Sequence, residues 1–362
     1  MKLLIQPNDG IAPLLAGIKS ARKSIDILVF RMDWKELETA LTAASGRGVA
    51  VRALIAQTNR GGEAKLRSLE TRFLEAGITV GRTSDDLVRY HGKMMIVDRR
   101  TLFLLSFNFV HIDIAHSRGF GIVTKGAQIV QEATKLFEAD LNRQPYSAGV
   151  DTFVVSPSNA RKQLSTFIKK ARKQLWIYDP KVSDKEMLYL LEAHAKAGLD
   201  VRIIGTTSGG SANLHVAPLT SIRLHTRTII RDGRQAFVGS QGLRHPELDS
   251  RREIGIIIHD SKVVNGLVAT FEKDWGSTGF DEARDSVKQA VPKSKESIVA
   301  TRALVKAMQP LRTSLKKAIH QAVARAGNNA LAEGELKSTV KVAAKRAVKE
   351  AVRELVELEK KQ

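Results

Sequence analysis

The chain has 362 residues, 43% of them hydrophobic, with 58 Lys+Arg against 38 Asp+Glu and a formal net charge of +20 at pH 7. Its length fits two domains with an appendage, and its basicity points to polyanions: nucleic acid, an anionic membrane surface or a phosphorylated small substrate. The absence of cysteine excludes disulfides, thiolate nucleophiles and zinc–thiolate sites, leaving covalent catalysis to histidine, serine, threonine, lysine or a carboxylate.

The opening stretch, MKLLIQPNDG, falls far short of the roughly 7–15-residue apolar core of a secretory signal. No later stretch approaches the ~18 apolar residues of a spanning helix. Cytoplasmic residence, with peripheral association at a membrane, is the expectation. A helix-period stretch over 11–21 leads into the β-rich SIDILVF, a second helix ELETALTAASGRG and a second strand VAVRALI. The helix-like GEAKLRSLETRFLEAG follows, and then RYHGKMMIVDRRTLFLLSFNF, two short apolar strands with His91 at the start of the first.

The same order then returns. A helix-period stretch over 160–171 precedes QLWIYD, KEMLYLLEAHAKAG, LDVRIIG and, from Arg223, RLHTRTIIRDGRQAFVGSQGL. Pro7 pairs with Pro157 and Val51-Arg52 with Val201-Arg202 at an offset of 150. His91 pairs with His225, Asp98 with Asp232 and Ser106 with Ser240 at an offset of 134, so the first half holds 16 extra residues, assigned to GEAKLRSLETRFLEAG. Strands alternating with helices imply an α/β class, a sheet covered by helices. The expected boundaries are 1–148 for the first half, 149–280 for the second and 281–362 for a basic, Ala/Lys-rich α-helical tail. From Ser286 onward 17 Lys+Arg stand against 7 Asp+Glu. Two amphipathic helices are predicted in that tail, either packing on the body or dimerising, or lying on a polyanion or membrane surface.

The doubled phrase suits phosphodiester chemistry. Such an enzyme must neutralise non-bridging oxygens, supply a nucleophile and protonate the leaving oxygen. Lys93 and Arg227, each two residues beyond a histidine, supply cations on the same strand face. Ser106, Asn108, Ser240 and Gln241 are the candidate substrate-binding donors. His91 and His225, one from each half, supply one nucleophile and one general acid.

On these residues the chain resembles the phospholipase D superfamily. HGKMMIVD…LSFN and HTRTIIRD…GSQG are similar to its paired His-x-Lys-x4-Asp motifs, each followed by Gly-Ser, over roughly residues 1–280. The resemblance implies two α/β sandwich halves related by a pseudo-twofold axis, with one active site on that axis. It further implies a metal-independent reaction through a phosphohistidine, with no cofactor, for which one monomer suffices. It also implies a carboxylate some 28 residues after a histidine that orients its imidazole. Glu253 stands there after His225, whereas the first half has Gly119, and Leu105 replaces the glycine retained at Gly239. On that spacing His225, buttressed by Glu253, is expected to be the nucleophile and His91 the general acid, the reverse assignment staying open. In HIDIAH (His111, Asp113, His116) the expectation is a loop that replaces the missing acid, with Asp113 as the substitute and a metal site as the alternative. Asp98 and Asp232 are read as strand-end turn residues. The expected function is a phospholipase D or cardiolipin synthase-like enzyme on phospholipids. The alternatives are a metal-independent nuclease or DNA-end phosphodiesterase, and a degenerate polyanion-binding protein.

Overall fold

The computed structural model describes residues 1–58, 62–84, 86–209 and 213–281. The chain divides into two units, Met1–Phe280 and Asp281–Gln362. The expected helical tail lies outside the described residues.

Within the first unit the chain runs β1 (Lys2–Gln6), α1 (Ala12–Ser20), β2 (Ser24–Val29), α2 (Lys35–Gly46), β3 (Ala50–Ile55), α3 (Glu63–Glu75), β4 (Thr79–Arg82), β5 (Arg89–Tyr90), β6 (Met94–Val97), β7 (Thr101–Leu105), α4 (His111–Ala115), β8 (Ser117–Thr124) and α5 (Ala127–Leu141). It continues through β9 (Phe153–Val155), α6 (Ala160–Lys169), β10 (Gln174–Val182), α7 (Lys185–Lys196), β11 (Asp200–Thr207), β12 (His215–Ala217), β13 (Arg223–Leu224), β14 (Arg227–Arg231), β15 (Gln235–Gly239), α8 (His245–Asp249), β16 (Arg251–Arg252), β17 (Ile254–Ile258) and α9 (Ser261–Gly276).

The two large sheets have one order written twice, β1-β8-β7-β6-β2-β3-β4 and β9-β17-β15-β14-β10-β11-β12. The duplicated α/β halves are therefore real. Helix α3, between β3 and β4, has no counterpart between β11 and β12, which accounts for the extra residues of the first half. Strand β6 is buried at all four positions, as a central strand covered on both faces must be. Among the described residues three apolar clusters form the core: one in each half under its outer helices, and a central one, including Phe120, Tyr178, Phe137 and Phe271, that joins both sheets with α5 and α9.

The repeated aspartates hold the turns, as expected. Asp98 adopts φ 53° and Asp232 φ 54°. The Asp98 carboxylate accepts from the backbone N–H groups of Arg22, Lys23 and Ser24, and Asp232 accepts from those of Arg172, Lys173 and Gln174. Each aspartate thereby fastens the turn between two central strands to the start of a third. Burial works against their charge, yet these N–H groups keep both carboxyls below the ordinary range.

Two strand exchanges join the halves. β13 of the second half pairs in parallel with the start of β8, Arg223 opposite Ser117 and Leu224 opposite Arg118. β16 pairs in the same way with β5, Arg251 opposite Arg89 and Arg252 opposite Tyr90. A buried ion pair locks each exchange. Arg118 donates twice to Asp274 and once to the Gln6 carbonyl, and Tyr178 donates to the same acid. Arg252 donates to Asp140 and to the Ser156 carbonyl, with Tyr90 donating to that acid.

Candidate active site

The strand exchanges place the histidines. His91 follows β5, and its backbone N–H donates to the Arg252 carbonyl at 2.7 Å. Its neighbour across the halves is therefore Glu253, whose Oε2 lies 2.8 Å from His91 Nδ1. His225 follows β13, and its N–H donates to the Arg118 carbonyl at 3.1 Å, so the residue that answers to Glu253 there is Gly119. This corrects the expected pairing of Glu253 with His225. The 28-residue spacing counts along one half, but the strands cross, and each such position serves the histidine of the other half.

His225 is engaged differently. Its Nε2 lies 3.3 Å from Oδ2 of Asp113, on α4 of the first half. That oxygen also accepts from the Asn108 N–H at 2.9 Å and from Asn108 Nδ2 at 2.6 Å. Asp113 Oδ1 accepts from Arg223 Nη1 at 2.7 Å, and the same Nη1 donates to Ser117 Oγ. His225 Nδ1 is buried and has no hydrogen-bond partner among the described residues. HIDIAH, expected as a loop, is mostly the helix α4. His111 stacks on Trp34 and meets His116 at a tilt, while Asp113 turns to His225, and among the described residues these three do not form a group that could hold a metal ion.

Both imidazoles and both cations meet. Lys93 and Arg227 each lie close enough to His91 and to His225 to depress their basicity. Burial is the larger cause, and together they hold His91 well below an ordinary imidazole. Burial also lowers His225, with Asp113 opposing it and Arg227, Lys93 and Arg223 adding to it. Lys93 is 1% exposed; burial pushes it down to about 7, against the pull of Glu253. Glu253 is pushed up to about 7 by burial, against Lys93. Lys93 donates to the His91 carbonyl at 2.7 Å and sits over the Phe30 ring, which also meets the His91 ring edge to face. Arg227 donates to the His225 carbonyl at 2.6 Å, and its Nε lies 3.7 Å from Glu247.

The side chains expected to donate to substrate also take part in the frame. Ser106 and Ser240 end β7 and β15, where each hydroxyl continues the ladder by accepting from Phe120 N and Ile254 N of the next strand. Gln241 donates its amide to the Val154 carbonyl of β9, and Asn108 donates to Asp113. The reading of sequence passed over Phe30 and Glu247. Nothing in the motif marks Phe30, but the offset of 134 maps Asp113 onto Glu247, so the repeat carries an acid at both positions.

The sequence profile described as "Cardiolipin synthase, PLD-like domain" matches residues 14–141 and 164–275. The chain belongs to this phospholipase D-like family. Cardiolipin synthase 1 of Bacillus cereus is 23% identical over 342 residues, covering 76% of this chain and 66% of the relative. Mitochondrial cardiolipin hydrolase of Danio rerio is 30% identical over 130 residues, 35% of this chain and 56% of the relative. The chain thus spans between about half and two thirds of these relatives' lengths. The PLD-like fold is shared with the crystal structure of polyphosphate kinase from Porphyromonas gingivalis, with a TM-score of 0.64 and 19% identity over 76% of this chain and 50% of that one. It is shared also with phosphatidylserine synthase of Haemophilus influenzae, with a TM-score of 0.56 and 12% identity over 76% and 85%. No helix among the described residues is long and apolar enough to cross a membrane.

Proposed function

We propose that this chain is a phosphodiesterase or phosphatidyltransferase of phospholipids, working through a phosphohistidine on His91. The observation that carries the reading is the pair of buried histidines from opposite halves that share Lys93 and Arg227. A site that binds polyanions without chemistry has no use for two imidazoles held by two separate acids.

The step balances as follows. Glu253 holds His91 Nδ1, which leaves Nε2 as the nucleophilic nitrogen. Its lone pair forms the N–P bond while the bond from phosphorus to the leaving oxygen breaks, and that oxygen takes a proton from the His225 imidazolium. Neutral His225 then removes a proton from water, or from an acceptor alcohol, whose oxygen displaces His91 from phosphorus. Lys93 and Arg227 offset the charge on the non-bridging oxygens throughout. This reverses the assignment expected from spacing, because the carboxylate stands behind His91.

A lipid substrate is supported by the family description and by the names of both curated relatives, each of which refers to cardiolipin.

The test is hydrolysis of a p-nitrophenyl phosphodiester in excess EDTA by wild type, His91→Asn and His225→Asn. Phosphatidylglycerol vesicles and single-stranded DNA serve as competitors, and glycerol as an added acceptor. His91→Asn gives no burst of nitrophenol. His225→Asn retains a burst, because nitrophenolate leaves without a proton, and it accumulates an acid-labile phosphoprotein. A burst from His91→Asn and none from His225→Asn reverses the roles, and steady turnover by either variant ends the two-histidine reading. Stronger inhibition by DNA than by vesicles transfers the substrate to nucleic acid.

A further inference from the structure

We propose that Asp113 is a positioning acid for His225, supplied by α4 in place of the carboxylate that Gly119 does not carry. The inference rests on the two-histidine reading above and concerns what offsets the charge of the second histidine when it carries a proton.

The strand exchange defines the gap. Glu253 and His91 are neighbours because β16 pairs with β5, and by the same pairing of β13 with β8 the neighbour of His225 is Gly119. A side chain cannot be restored there cheaply. A Cβ on Gly119 would lie 3.0, 3.2 and 3.3 Å from three atoms of the Phe107 side chain, which is itself fully buried. A side chain at that position would require the buried Phe107 ring to give way by a few tenths of an ångström.

Asp113 reaches His225 from another direction. It is 2% exposed, and its carboxylate is fixed before any substrate arrives, by Asn108 through two donors and by Arg223. The charged groups facing His225 are Asp113 from α4, Arg227 from β14, Lys93 from the segment before β6 and Arg223 from β13. Three of the four are cations. Without Asp113 the imidazolium would be buried among like charges with no counter-ion, the state that burial penalises most. Asp113 is held below the ordinary carboxyl range, burial being outweighed by His225, Asn108 and Arg223.

The second half shows that the geometry is particular to Asp113. Its repeat counterpart Glu247, on α8, accepts from the Gly242 N–H and from Arg244 and Arg251, and lies 3.7 Å from Arg227. That carboxylate is enclosed by guanidinium groups, and His91 takes Glu253 instead. One repeat position therefore serves a histidine in one half and an arginine cage in the other.

The test compares full-length wild type, Asp113→Asn and Arg223→Gln on two phosphodiesters, one with a p-nitrophenol and one with an alkyl alcohol leaving group, across pH. Asp113→Asn loses at least about 10-fold in kcat/KM on the alkyl substrate, within the ~10²–10⁴ that a general acid supplies, and keeps the nitrophenol burst. Its alkaline limb on the alkyl substrate moves to lower pH by about 1–3 units, the scale set by one close opposite charge. Arg223→Gln leaves Asp113 charged and removes a cation from beside His225, so its limb moves the other way. That second variant also carries the test if Asp113→Asn does not fold. Equal losses on both substrates, or a limb unmoved in the soluble variants, overturn the proposal and leave Asp113 a structural residue. If His225→Asn itself is indifferent to the leaving group, the two-histidine reading fails first and this one with it.

Discussion

Where the halves are joined, the repeat is kept almost atom for atom. Arg118 with Asp274 and the Gln6 carbonyl is matched by Arg252 with Asp140 and the Ser156 carbonyl. A tyrosine donates to each acid although the two come from unrelated positions, Tyr178 and Tyr90. At the centre between those joints the repeat is broken: Glu253 against Gly119, Lys93 against Arg227, Asn108 against Gly242, Asp113 against Glu247. The joints do the same job twice, holding a strand of one half against a strand of the other. The histidines do not, since attack and protonation need opposite charge states. Symmetry is therefore kept where it positions strands and is lost where it would give both imidazoles one role.

The largest expected effect tests the symmetric part. Arg118→Met and Arg252→Met each leave a buried carboxylate without its cation, which costs about 3–5 kcal/mol. Chemical denaturation of the two variants should give losses within about 1 kcal/mol of each other. A large loss in one and a negligible loss in the other would mean that the joints are alike in geometry but not in energy. A smaller effect tests the asymmetric part. Glu253→Gln keeps a hydrogen-bonding group beside His91 Nδ1 but removes its charge, and loss of such a carboxylate behind a histidine typically costs 10–100-fold. The loss should appear in kcat/KM for both nitrophenol and alkyl leaving groups, because it falls on the attacking nitrogen. A loss confined to the alkyl substrate would place Glu253 behind the acid instead.

Most of the scaffold could be read from the chain because it is local. The helix and strand periods, the 150 and 134 offsets and the 16-residue insertion are all legible in the sequence, and the turn role of Asp98 and Asp232 follows from their place at a strand end. The pairing of acids with histidines could not be read that way. It depends on β16 crossing to β5 and β13 to β8, two-residue strands with no periodicity of their own. Ser106 and Ser240 depend on tertiary structure in the same way, because only the neighbouring strands show that their hydroxyls accept from Phe120 N and Ile254 N. Asp113 is legible in the sequence as the substitute for the acid missing at Gly119, but its place on a helix and its 3.3 Å distance from His225 belong to tertiary structure.

The smallest effect separates the two cations. Lys93 is pushed down to about 7 by burial, with Glu253 pulling the other way, whereas an arginine stays charged at any working pH. The sign follows from the charged form. Lys93 is an ammonium below about 7, and a phosphodiester anion binds that form. Affinity is therefore full at lower pH and is lost as pH rises through about 7. In wild type KM should rise several-fold between roughly pH 7 and 8.5, up to the tenfold per unit that loss of one required proton allows. Lys93→Arg should flatten that rise while changing kcat by a separate factor, since a planar guanidinium does not reproduce a point charge over the Phe30 ring. Glu253, pushed up to about 7 by burial, titrates in the same window but sits on the nucleophile, so its ionisation should register in kcat. A KM that climbs equally in Lys93→Arg would assign the alkaline loss to a group other than Lys93. A flat profile would show that the first half's lysine, unlike the second half's arginine, is the titrating phosphate anchor.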